Sequence, residues 1–252
     1  MSDRVTFVGH STVRLELGGT TLLTDPLTRG RFLHTFRQVP PVGPETTAEV
    51  DAVLASHLHM DHLDFGSMRA LGREIEVVVP AGGARVVRRR GYRRATELRP
   101  GESARVGAVE ITATDADHDG RRWPLGRAVE ALGFLLRTDA ASVYFAGDTD
   151  LFEGMAVLGD IDVALLPIGG WGSHGGDREG HLNPERAAEA TALIRPRIVV
   201  PIHWGTYLRA GLARSRPELL TDPPRRLVEE VARRAPEVEV RVLSPGESLE
   251  LS

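Results

Sequence analysis

The chain has 252 residues, 41% of them hydrophobic, which suits either one large α/β domain or two small ones. Its formal charge of −4 gives no basic field of the kind that draws nucleic acid, so a nucleic-acid partner is disfavoured. Cysteine is absent, which excludes disulfides, thiol nucleophiles and thiolate metal ligands, and lysine is absent, which excludes Schiff-base chemistry.

Taken in order, the chain opens on three strand-forming runs, Val5 to Val8, Val13 to Leu17 and Thr20 to Thr24, with Gly18-Gly19 as a tight hairpin signal between the last two. From Asp51 the pattern alternates between strand and helix: Asp51 to Ser56, a helix through Leu71, Glu76 to Pro80, and a helix over Ala84 to Arg90. Further strands are predicted at Val109 to Thr114, Ala131 to Arg137, Ser142 to Ala146, Val163 to Pro167 and Ile198 to Pro201. The glycine-rich stretch from Ile168 to Leu182 reads as a long loop of the functional kind. It ends on a helix start, with Asn183 as cap, Pro184 at the first helical position and Ala187, Ala190, Thr191 and Ile194 on one face. A second late helix follows Pro224, with Leu227, Val228, Val231, Ala232 and Ala235 as its stripe. No apolar run approaches the ~20 residues of a membrane span, and the first residues lack the build of a signal peptide, so a cytoplasmic location is expected.

The sharpest feature is Ser56-His57-Leu58-His59-Met60-Asp61-His62, directly after a strand run. Three of the nine histidines fall within six residues. In extended chain His57 and His59 project to one side, and Asp61 and His62 come round as the chain turns. Imidazole nitrogen and carboxylate oxygen suit zinc, manganese or iron. Other ligand-type residues also follow strand runs: Asp25, His118, Asp148 after the Gly147 turn, and His203. Such a recurrence is expected of a shared pocket outside the strand ends.

With this pattern the sequence resembles the metallo-β-lactamase superfamily, whose His-x-His-x-Asp-His motif stands here as His57-x-His59-x-Asp61-His62. The resemblance covers the whole chain and implies one domain over residues 1–252, a four-layer αββα sandwich of the α/β (α+β) class. It implies that His57, His59 and His118 bind one divalent metal ion and Asp61, His62 and His203 a second, with Asp148 shared and zinc the first choice, manganese or iron the others. Asp25 is then expected to orient a histidine rather than bind metal, and His10 to lie on the pocket wall or behind the metal ligands. The implied chemistry is hydrolysis of a small ester, lactone or phosphoester by a metal-bridging hydroxide. The other readings are a phosphodiesterase or nuclease, and a metal-binding module without turnover. Shorter segments, among them Val8 to Glu16, Gly147 to Asp150, Gly180 to Glu185 and His203 to Thr206, are similar to those of predicted bacterial hydrolases related to ascorbate-6-phosphate lactonases and N-acylphosphatidylethanolamine phospholipase D.

Asp61 and His181 are expected in catalytic roles, His181 as proton donor to the leaving group. Arg121 and Arg122, close after His118, are candidates for a substrate anion, and Trp171 and His174 for substrate contact from the glycine loop. His34, in the segment Arg29 to Arg37, is a candidate for a covering loop. The oligomeric state is not encoded in any of these signals.

Overall fold

The computed structural model describes residues 3–120, 129–169 and 180–251. The chain begins with strands β1 (Asp3–Gly9), β2 (Thr12–Leu17) and β3 (Thr20–Thr24), followed by the short hairpin β4 (Arg31–Phe32) and β5 (Thr35–Arg37). Next come β6 (Ala52–Leu54), β7 (Glu76–Pro80), helix α1 (Ala84–Arg88), β8 (Ala95–Leu98), β9 (Ser103–Val106) and β10 (Val109–Asp119). Then follow β11 (Glu130–Arg137), β12 (Ser142–Phe145), β13 (Val163–Pro167), α2 (Pro184–Ile194) and β14 (Ile198–Ile202). The chain closes with β15 (Tyr207–Arg209), α3 (Leu212–Ser215), α4 (Asp222–Arg234), β16 (Glu239–Val240) and β17 (Ser248–Leu251).

These strands form two seven-stranded sheets, ordered β17-β1-β2-β3-β6-β7-β8 and β16-β14-β13-β12-β11-β10-β9, and a small third sheet, β15-β5-β4. The inner faces of the large sheets meet in one apolar core that includes Phe7, Leu15, Leu22 and Leu54 from the first and Phe134, Phe145, Leu165 and Val200 from the second. The outer face of the second sheet is covered by α2 and α4 through Ala187, Ala190, Ile194, Leu227 and Val231. That of the first is covered by α1 and the segment before it, through Leu63, Met68, Ala84 and Val87. The result is the αββα sandwich. Among the described residues no helix is long and apolar enough to cross a membrane.

Several expectations are corrected. No α-helix runs to Leu71: Ser67–Leu71 is a 3-10 turn. Asp64 fixes it by accepting from the Ser67 amide and hydroxyl at 2.8 Å each, while Arg29 clamps the same carboxylate at 2.7 and 2.8 Å. The helix at Ala84 ends at Arg88, where Arg90 and Gly91 turn the chain. Helix α4 starts at Asp222, and only Leu227, Val231 and Ala235 of its expected stripe are buried; Val228 and Ala232 face solvent. Strand β10 runs past Thr114 to Asp119, so His118 lies within it, where the register with β11 slips between Asp115 and Asp119. Such an irregularity re-aims a side chain. The third sheet and the pairing of β17 with β1 were not anticipated.

The topology decides where function collects. Strands β1, β3 and β6 run in the same direction in the first sheet, and β10, β12 and β14 share a direction in the second. His10, Asp25 and the His57–His62 segment follow the C-terminal ends of the first three, while His118, Asp148 and His203 stand at those of the second.

Candidate metal centre

Two groups of ligand atoms form at this edge. His57, His59 and His118 make one, and His10, Asp61, His62 and His203 the other; within each group the atoms all lie within 4.8 Å of one another. In the first, His57 Nε2 is 2.9 Å and His118 Nε2 3.3 Å from His59 Nδ1, so three imidazole nitrogens face one point. Asp148 stands between the groups. Its Oδ2 lies 3.1 Å from His62 Nε2 and 3.4 Å from His181 Nε2, its Oδ1 3.3 Å from His203 Nε2. It also forms a triplet with His118 and His181.

The imidazoles are held from behind. His62 Nδ1 donates to Asp25 Oδ2 at 2.7 Å, which leaves Nε2, once its own proton is displaced, as a lone-pair donor toward the cluster. Ser56 donates its amide and its hydroxyl to the same carboxylate at 2.7 and 2.6 Å. With its proton committed to Asp25, the Ser56 oxygen accepts from His57 Nδ1 at 2.9 Å, so His57 Nε2 is also a lone-pair nitrogen. His118 Nδ1 donates to the Gly180 carbonyl at 2.8 Å with the same effect.

The loops that carry these residues are shaped to fit. His10 and His203 both adopt φ of 57°, and the His203 amide donates to the His10 carbonyl at 2.7 Å. Thr206 fixes the pair by accepting the His10 amide at 2.8 Å. Such conformations of non-glycine residues store strain and gather at functional sites. Gly147, with φ of 63°, brings Asp148 in because its backbone lies against Ser56; a Cβ there would stand 2.6 Å from the Ser56 Cβ.

The charges suit a cation. Burial holds His57, His59, His118 and His203 below the usual imidazole value of 6.5, His203 down to about 3, so these four are neutral donors. His62 is the exception: burial lowers it, but Asp148, Asp25 and Asp61 outweigh that and hold it well above 6.5. Burial alone would raise Asp148 and Asp61; the histidines outweigh it, His203 and His62 for Asp148 and His62 and His10 for Asp61, and keep both well below the carboxylate range. Asp25 is raised by burial against the pull of His62 and Ser56.

The test of fit is in the unpartnered atoms. His10 Nε2, His62 Nε2, His203 Nε2 and Asp148 Oδ1 are buried and make no hydrogen bond, although their neighbours stand 3.1 to 3.8 Å away. Each has one neighbour at 3.1 to 3.3 Å, within hydrogen-bond range, yet none makes a bond of acceptable geometry. His10 Nε2, His62 Nε2 and His203 Nε2 belong to one group of ligand atoms within 4.8 Å of one another, with Asp148 beside it. A buried unpaired polar atom costs about 1–3 kcal/mol, and four together are accounted for by a cation between them. The residues fit a metal.

Every cluster residue anticipated from the motif is brought here, and His10 lines the cavity and joins the second group. His181 reaches the cavity beside Asp148. Arg121, Arg122, Trp171 and His174 lie outside the described residues. The cavity also draws on residues with no advance signal, among them Phe32, Leu208 and Leu212, together with His34 of the covering hairpin.

Two helix-flanked sheets with a histidine and aspartate cluster at their common edge define a class, and residues 20–204 match the Beta-lactamase superfamily domain; the chain belongs to the metallo-β-lactamase superfamily. More particularly, it is 35% identical over 257 residues to an Opitutus terrae protein named UPF0173 metal-dependent hydrolase, covering 98% of this chain and 100% of that one. Among solved structures it is similar to Igni18, described as a novel metallo hydrolase from Ignicoccus hospitalis, with 26% identity, a TM-score of 0.75 and coverage of 99% and 98%. The fold is also shared with a possible metal-dependent hydrolase from Veillonella parvula, at 18% identity, a TM-score of 0.76 and full coverage of both chains.

Proposed function

We propose that the protein is a two-metal hydrolase acting on a small ester, lactone or phosphoester. His57, His59 and His118 would hold one ion, Asp61, His62 and His203 the other, and Asp148 would be shared. The observation that carries this reading is the set of buried, unpartnered nitrogen and oxygen atoms gathered beside Asp148 and Asp61. Bound there, two divalent cations lower the pKa of water and polarise the bond under attack, so hydroxide is available at neutral pH.

The chain's own residues would do the rest. Asp25 and Ser56 fix the tautomers of His62 and His57. Asp61, 3.3 Å from His10 Nε2 and 35% exposed, would orient the attacking water by accepting a hydrogen bond from it. His181, 19% exposed on the cavity floor with Nε2 3.4 Å from Asp148, would hold a proton for the leaving oxygen. The donor set of nitrogen and oxygen suits zinc first, then manganese or iron. The resemblance of short segments to those of lactonase-like hydrolases favours a small-molecule substrate.

The test is elemental mass spectrometry on tag-free protein, joined to a screen of lactones, aryl esters and bis-aryl phosphodiesters with and without chelator. About two ions per chain with chelator-sensitive turnover is the expected result, and Asp148→Ala should lose metal and turnover together. Full turnover after exhaustive chelation, or in Asp148→Ala, would refute the assignment.

A further inference from the structure

The cavity above the cluster has walls unlike its floor. It holds about 450 Å³, and its floor is His59, Asp61, Asp148, His181 and His203. Its walls carry a continuous apolar part, Phe32 from β4, Leu33 from the turn after it, Leu208 from β15, and Leu212, Leu219 and Pro223 from the segment that follows, with His34, Thr35 and Tyr207 as polar anchors among them. Outside the floor, Arg209 is the only lining residue with a fixed charge among the described residues. A site for a polyanion surrounds its ligand with cationic forks and N–H donors. One for an apolar group offers aliphatic and aromatic surface with few polar anchors, and these walls are of that kind.

The wall is built, not incidental. Strand β15 pairs with β5 in the register Tyr207↔Arg37, Leu208↔Phe36 and Arg209↔Thr35. The Tyr207 hydroxyl donates to the Leu27 carbonyl at 3.2 Å and to that of Arg29, which ties the small sheet to the main body. At the rim, Leu33 takes a φ of +48°, a conformation usually left to glycine, and is nonetheless 52% exposed. A strained leucine half in water at the mouth of a cavity presents its apolar surface to whatever enters.

We propose that this cavity binds an uncharged apolar acyl or aryl group of the substrate, roughly ten heavy atoms long, attached at its inner end to the bond that is hydrolysed. The inference rests on the hydrolase reading above and names the part of the substrate that reading leaves open. For an ester, water adds across the scissile bond: its oxygen joins the acyl carbon, the C–O bond breaks, and a proton goes to the leaving oxygen. The acyl chain stays against Phe32, Leu33 and Leu208 throughout.

The experiment uses the metal-loaded full-length protein in two parallel series. One measures kcat/KM for 4-nitrophenyl esters from acetyl to decanoyl; the other measures binding of the n-alkanols from butanol to decanol by calorimetry, which needs no turnover. Both should strengthen about fourfold per methylene until the cavity is filled. Leu33→Asp and Leu208→Asp should flatten both series, and Leu33 is exposed enough for its variant to fold, which circular dichroism checks. An alkanol series that is flat, or that both variants leave unchanged, overturns the proposal even where every ester is hydrolysed. A rising alkanol series flattened by the variants, with no ester turnover, upholds the apolar cavity and counts instead against ester hydrolysis.

Discussion

Ser56 touches no candidate metal position, yet both ligand groups lean on it. Its amide and hydroxyl complete the shell of Asp25, and its oxygen takes the Nδ1 proton of His57, while Asp25 takes that of His62. One buried carboxylate thereby sets two tautomers, one in each group. Partners of this kind carry about 10–100-fold in metal affinity. Ser56→Ala removes the acceptor for His57 but leaves the Asp25–His62 bond, so it should weaken one ion's binding by about tenfold and spare the other. Titration against a competing chelator resolves the two affinities. Equal weakening of both, or of neither, would show that the relay through Ser56 does not set the His57 tautomer. Asp25→Ala, by contrast, should weaken both, because His62 then loses its acceptor and the Ser56 hydroxyl loses the carboxylate that turns its oxygen toward His57.

At the scale of elements, turns matter more than strands. Gly147 sits at φ of 63° with Ser56 packed against it, and a methyl group there meets both a backbone penalty and a 2.6 Å collision. Gly147→Ala should cost about 2–3 kcal/mol in denaturant unfolding and displace Asp148, lowering the retained metal. Loss of stability with full metal content would mean that the β12 turn adjusts without moving the carboxylate. The Asn183 side chain accepts the Arg186 amide at 2.9 Å at the start of α2, just beyond His181; Asn183→Ala should cost about 1 kcal/mol. This helix and its cap were legible in the sequence because Asn-Pro followed by a 3.6-period stripe is a local signal. So was the cluster His57 to His62, since a strand run ending in alternating histidines needs no tertiary knowledge. The third sheet was not legible: β4 has two residues and β5 three, too short for any alternation, and they are strands only because β15 arrives from far along the chain to pair with them. Nor was the exposure of Val228 and Ala232, because the width of a helix's buried stripe depends on what it packs against. The apolar cavity walls belong to the same class of long-range facts.

For the molecule as a whole, the cluster is a clasp between two sheets: His57, His59, Asp61 and His62 follow a strand of the first, and His118, Asp148 and His203 belong to the second. Metal held by both should raise the melting temperature, by an amount that depends on pH. The proton on His62 decides the sign. Its value in the folded protein is raised above 6.5, so in metal-free protein its contribution to stability is complete below 6.5 and fades as pH rises through the raised value. A cation at His62 must expel that proton, so binding strengthens as pH rises. His57, His59, His118 and His203 work in the opposite direction. Their values are depressed, so their contribution is present above 6.5 and is lost as pH falls toward them. Below 6.5 the native fold thus resists protonation that the unfolded chain accepts, and metal competes with protons for the same nitrogens. The gap in melting temperature between metal-loaded and chelated protein should widen steadily from pH 6 to pH 9. At metal concentrations a thousand times the dissociation constant it should correspond to about 4 kcal/mol. Scanning calorimetry of both forms across that range reads the gap directly. A gap that does not change with pH would mean that His62 gives up no proton on binding, and a gap of zero that the two sheets are not joined through metal at all.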